Sequence, residues 1–150
     1  MNRPRVVALL MVFLAVAGLA WAFAAARPAP AAVGSQLEIR WHGNGIILQG
    51  AVRDAATQHV LVEGATARLG GEADQVVDWL DIVPAALPVA NATALAGLIR
   101  LGQEGWHLQR RAADASLAVQ SPGDERSVQA RELLQRAFGP DVAVRLISLP

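Results

Sequence analysis

Two parts of this chain, residues 36–83 and 94–150, carry the same succession of strand, strand, helix and strand. That repeat restricts the fold more than any other feature of the sequence. In the first part, Leu37-Glu38-Ile39-Arg40-Trp41-His42 alternates apolar and polar residues, the period of a half-buried strand. Gly43-Asn44-Gly45 then offers positive-φ residues for a tight hairpin turn, and an aliphatic run, Ile46 to Val52, follows it. Asp54 can cap a helix running to about Leu69, with Leu61, Ala65 and Leu69 as its inner stripe. Gly70-Gly71 ends that helix, and Asp74 to Val83 reads as a third strand with Val77, Trp79 and Ile82 among its apolar positions.

The second part repeats this order behind an extra helix, Ala94 to Gln103, capped by Asn91 or Thr93. Trp106-His107-Leu108 opens a strand, Ala115 to Gln120 is its hairpin partner, and Asp124 caps a helix from Glu125 to Phe138. Gly139-Pro140 stops that helix, and Val142 to Leu149 is a final alternating strand. Trp41-His42 aligns with Trp106-His107, and Leu61, Ala65 and Leu69 align with Ala130, Leu134 and Phe138. Val77 to Ile82 aligns with Val144 to Leu149, so the offsets are 65, 69 and 67. Residues 84–93, punctuated by Pro84 and Pro88, join the two units. A unit of ~50 residues is marginal alone, so two should share a core. The expectation is an α+β fold with helices on one face of antiparallel or mixed strands. Whether two sheets merge into one is left open by the sequence.

Ahead of the repeat, Met1 to Arg5 is a short basic start, and residues 6–26 form an uncharged run of 21, close to the ~20 that span a bilayer core. Trp21 and Phe23 lie near its far end, where aromatic side chains favour the interface. More positive charge precedes this run than follows it, which keeps the N-terminus in the cytoplasm and exports the rest. The expected arrangement is a single-pass anchor in a bacterial inner membrane with the C-terminal domain in the periplasm. A cleaved signal peptide releasing the domain into the periplasm is the competing reading. Residues 27–35 are a Pro/Ala linker, extended and fairly stiff.

Composition narrows the chemistry. Lys and Cys are both absent, which excludes a Schiff-base or P-loop lysine, a thiolate nucleophile, a disulfide and a Cys-ligated metal. From Ser35 onward there are 10 Arg against 13 acids, a formal charge of −3, which argues against nucleic acid as a partner.

Gly45-Ile46-Ile47-Leu48-Gln49-Gly50-Ala51-Val52 resembles the signature of the BON (bacterial OsmY and nodulation) domain family: turn Gly, β-branched residue, Leu, any residue, Gly, any residue, Val. The likeness continues through the helix ending at Gly70-Gly71 and through Val76-Val77-Asp78, and covers about residues 36–150. In the second unit Val119 stands where Gly50 would align, so that copy departs from the pattern. Two divergent units behind one membrane segment also look like the region preceding the peptidoglycan-binding module of some outer-membrane-protein-A-family proteins. The resemblance implies a non-catalytic role in envelope maintenance or interaction, through phospholipid or another envelope protein.

No catalytic, cofactor or metal site is expected. His42 and His107, aligned after their tryptophans, should point outward without a third ligand. Asp78 and Asp81 fall on opposite faces of one strand, and the serines lack a nucleophile-elbow context. Arg110-Arg111 should occupy the longer turn of the second hairpin, where exposed basic groups can touch lipid head groups or an acidic partner. Gly45 and Gly50 are the motif glycines. Gly50 serves either close packing of strand on helix or close approach by a ligand. The alternative to lipid contact is a structural assembly module that docks a partner through a sheet edge. An enzyme or metal-binding protein comes third. The oligomeric state is not legible.

Overall fold

Three helices start on side chains that can accept from their own first turn. Asp54, Asn91 and Asp124 accept hydrogen bonds from the backbone N–H groups of Thr57, Ala94 and Ser127 at 2.7, 2.9 and 2.7 Å. Each satisfies a donor that the first helical turn leaves without a partner. In a computed structural model, which describes residues 36–150, these are α1 (Ala55–Arg68), α2 (Ala92–Leu101) and α3 (Glu125–Phe138). The two long helices carry the expected inner stripes: Leu61 and Ala65 in α1, and Ala130, Leu134 and Phe138 in α3, are buried.

The fold is α+β. Six strands, β1 (Gln36–His42), β2 (Gly45–Val52), β3 (Val76–Ile82), β4 (His107–Arg111), β5 (Asp114–Val119) and β6 (Ala143–Ser148), form one mixed sheet in the order β3-β2-β1-β4-β5-β6. Both hairpins, β1–β2 and β4–β5, are antiparallel, whereas β3 runs parallel to β2 and β6 parallel to β5. Each parallel pair is joined through a helix, as a parallel crossover requires. The third strand starts at Val76 rather than Asp74, because Ala73–Gln75 forms a turn of 3₁₀ helix. The glycine turn also differs from expectation. Gly43, Asn44 and Gly45 all keep negative φ, and the positive-φ residue of this hairpin is Gly50, inside β2.

Strand side chains alternate between two environments. Leu37, Ile39 and Trp41 of β1, Leu108 of β4, and Ala115, Leu117 and Val119 of β5 are buried in one core with Leu61, Leu95, Leu98, Ile99 and Leu134 of the helices. The intervening residues, among them Glu38, Arg40, Gln49 and Asp114, face the helix-free side. The helices therefore cover a single face. Two close approaches set the packing: a Cβ at Gly64 would meet Ala96 of α2 at 2.9 Å, and one at Gly102 would collide with the indole Nε1 of Trp41.

The question of one sheet or two is settled at β1–β4, which pair antiparallel with Ile39 opposite Leu108. The halves are then related by a pseudo-two-fold axis through that pair. The hairpin registers, Ile39 opposite Leu48 and Leu108 opposite Leu117, give an offset of 69 between the units, the same as the helices. This corrects the alignment of Trp41-His42 with Trp106-His107. Those tryptophans are neighbours across the junction, joined by Trp41 N–H to Trp106 O at 3.1 Å, and not counterparts. The last strands are also corrected. Ile46 pairs with Val76 and Ala115 with Val144, so the offset is 68 rather than 67, and a one-residue slip exchanges the two faces.

Residues 6–26 and the linker 27–35 lie outside the described residues. Among the described residues no helix is long and apolar enough to cross a membrane.

Candidate interaction surface

The helix-free face is built from two rows that the pseudo-two-fold axis exchanges. One runs Val77, Ile47, Arg40, His107, Ala118, Ile147, and the other Trp79, Gln49, Glu38, Gln109, Ser116, Arg145. At their centre Glu38 Oε1 accepts from Arg40 Nε at 2.5 Å and lies 2.5 Å from His107 Nε2, with Gln109 Nε2 3.3 Å from that ring nitrogen. Burial pushes the Glu38 carboxyl up, but the hydrogen bonds and charges of Arg40 and His107 outweigh it and hold the group below its usual value. Toward opposite ends of the sheet, Trp79 and Ile147 are counterparts. They stand 61% and 49% exposed, large apolar groups left in solvent.

The two outer edges differ. Val83 N–H donates to Val52 O and Leu149 N–H to Val119 O, so by strand alternation Val76, Asp78, Leu80 and Ile82 on β3 and Val144, Leu146 and Ser148 on β6 direct their main-chain groups outward. On β3 the edge is capped in part, at Val76, whose N–H donates to Ala73 O, and at Leu80. Asp78 Oδ1 accepts from Leu80 N–H at 3.0 Å, while Gln58 Nε2 donates to Asp78 Oδ2 at 2.8 Å and to Leu80 O at 3.3 Å. No equivalent cover exists on β6 among the described residues, because Leu146 stands at the position of Asp78. Arg145 is the one charge in β6, and it turns inward along the sheet to Asp114 at 3.3 Å.

The structure corrects the basic loop tip. The second turn is only Ala112-Ala113, and both arginines belong to β4. Arg111 is exposed at the strand end, but Arg110 faces the core with 4% of its surface accessible. Offset 69 makes Arg110 the counterpart of Trp41, so it occupies an inward, aromatic-sized place. Its guanidinium carbon lies 4.6 Å from the centroid of Phe138, a cation–π contact, and Nε donates to Ala112 O at 3.1 Å. One terminal nitrogen is buried without a hydrogen-bond partner, and desolvation lowers the pKa of the group. Alternation along Leu108-Gln109-Arg110-Arg111 was the signal that could have placed it inside.

His42 and His107 are not equivalent either. His42 is exposed opposite Gly45, whereas His107 is the counterpart of Glu38 and its direct ion-pair partner. Gly45 lies against the backbone, where a Cβ would meet Gln75 O at 3.0 Å. Gly50, with φ of 115°, lets β1 approach: a Cβ there would fall on the carbonyl oxygen of Gln36. Its use is strand against strand, not strand on helix. Sequence reasoning gives no role to Gln58 and none to Asp78 beyond its place on the strand, yet the two together cap Leu80 on the β3 edge, since a lone i+2 carboxylate carries no periodic signal.

Scanned against protein-family models the chain matches none, and no curated protein matches it.

Proposed function

We propose that this chain is a non-catalytic, BON-like envelope module of two units, held at the bacterial inner membrane by residues 6–26, and that it works by docking a protein strand at a sheet edge. The observation that carries this reading is the outer edge of β6. Its main-chain groups at Val144, Leu146 and Ser148 have no partner among the described residues, and only Arg145 interrupts an otherwise uncharged strand. Natural sheets usually protect such edges, and an unprotected one is a template for strand addition. Phospholipid contact is the second reading. Burial of Arg110 halves the basic pair on which it rested, leaving Arg111 as its basic contact.

The test is a photo-crosslinking amino acid in place of Ser148, in the full chain in its own membrane. A discrete protein adduct at Ser148, absent when the same group replaces Ile82 on the other edge, is the expected result. Adducts confined to lipid would favour the second reading. No adduct at Ser148 would overturn edge docking.

A further inference from the structure

We infer that the first occupant of the β6 edge is a second copy of this chain, paired antiparallel about a two-fold axis at Leu146. This inference rests on the edge-docking reading above. The outward-facing residues of β6 are Val144, Leu146 and Ser148, and they are symmetric about Leu146. An antiparallel pair centred there places Leu146 opposite its own copy and Val144 opposite Ser148, so every outward N–H and C=O meets a partner. The same register keeps faces matched. Val144, Leu146 and Ser148 lie on the helix side in both copies, and Arg145 and Ile147 on the open side. Arg145 of one copy then faces Ile147 of the other, and no like charges stand directly opposite. The half-buried Val144 and Leu146 gain apolar neighbours across the join. The interface is isologous, so it closes at two copies.

Within one chain the same operation already occurs. Equivalent strands β1 and β4 join the two units antiparallel about a two-fold axis, and β6 would join two chains in the same way. The opposite edge is less open to the same pairing, because Asp78 and Gln58 occupy the main-chain groups of Leu80 and the Val76 N–H bonds to Ala73 O. The product is a closed pair with one continuous twelve-stranded sheet, twice the six strands of a single chain.

The chain contains no Cys, so a single introduced thiol reports one position without background. Directly opposed, hydrogen-bonded residues stand about 5.5 Å apart at Cα, within the span that a disulfide bridges. Leu146→Cys in the full-length, membrane-embedded protein is expected to form a covalent dimer on mild oxidation, whereas Ile82→Cys on the covered edge should not. Adding Ile147→Arg sets two Arg–Arg contacts across the join and should reduce the Leu146→Cys dimer to the Ile82→Cys level. Adding Ile147→Glu sets two opposite-charge pairs and should raise it. Ile147 is exposed, so neither change disturbs the core. Equal dimer from Leu146→Cys and Ile82→Cys would overturn self-pairing, as would a yield indifferent to charge at Ile147. In that event the Ser148 photo-crosslink decides the reading beneath it. A discrete adduct with a different protein leaves edge docking standing, and no adduct removes both.

Discussion

Glu38 and His107 are counterparts across the pseudo-two-fold axis, and they bond to each other at 2.5 Å. The contact joins the two units on the helix-free face, beside the ladder that joins them through the backbone. Because Arg40 and His107 hold the Glu38 carboxyl below its usual value, its contribution to stability is full above the ordinary carboxyl pKa of about 4.3. It is lost as pH falls through the lowered value. Glu38→Gln should therefore melt lower than the parent at neutral pH, by about 1 kcal/mol. The gap should narrow in acid. Thermal melts of both proteins across a pH series test this, and the comparison cancels Asp54 and Asp124, whose carboxyls are lowered in the same direction by their cap bonds.

Arg110 leaves one guanidinium nitrogen buried and unpaired. Arg110→Met keeps the side-chain bulk over Phe138 and removes the buried charge, so it should be neutral or stabilising. Arg110→Ala opens a cavity and should fall below the Met variant by about 2 kcal/mol or more. Chemical denaturation of the two variants decides it. A methionine variant as unstable as the alanine one would mean that the charge itself is needed there.

Trp41 donates its indole N–H to Ile99 O at 2.9 Å and meets Trp106 edge to face, with ring centroids 6.3 Å apart at 77°. Gly102 leaves the space for that indole. Gly102→Ala should destabilise by about 1–3 kcal/mol, with a change in tryptophan emission. Gly123→Ala, where a Cβ meets nothing within 4 Å, should leave both unchanged.

The β3 edge depends on one carboxylate. Asp78→Ala frees the outward N–H of Leu80 and leaves Gln58 with the carbonyl alone. The variant should keep its fold and gain association through this second edge. Light scattering is expected to rise with concentration. Unchanged scattering would show that the edge is protected by something other than Asp78.

Caps and stripes were legible because they are local. Asp54, Asn91 and Asp124 begin helices where their spacing to the apolar stripe says they should, and Leu61 and Leu134 are buried as the 3.6-residue period requires. The match between units was not legible, because offsets of 65 and 69 differ by an even number and keep the same alternation of faces, and only the pairing of β1 with β4 selects 69. Matching Trp41 to Trp106 followed likeness of side chain, while the backbone makes Arg110 the counterpart of Trp41. A buried arginine looks polar to any hydropathy pattern, so hydropathy alone puts Arg110 in the turn, whereas it lies inside β4. The sheet edges were invisible for a related reason. Whether Asp78 covers Leu80 depends on a side-chain rotamer and on Gln58, twenty residues away.

The sheet order also decides how the domain bears a pull. Whatever tension reaches it from residues 1–35 enters at Gln36, the first residue of β1. That strand lies at the centre of the sheet, bonded to β2 on one side and β4 on the other. A load drawn along β1 is shared by two ladders in shear and cannot peel them open one bond at a time. The β6 edge, like β3 at the opposite rim, is bonded on one side only, so a load on it is carried by a single ladder. The middle of this sheet is thus held by two ladders and each of its rims by one.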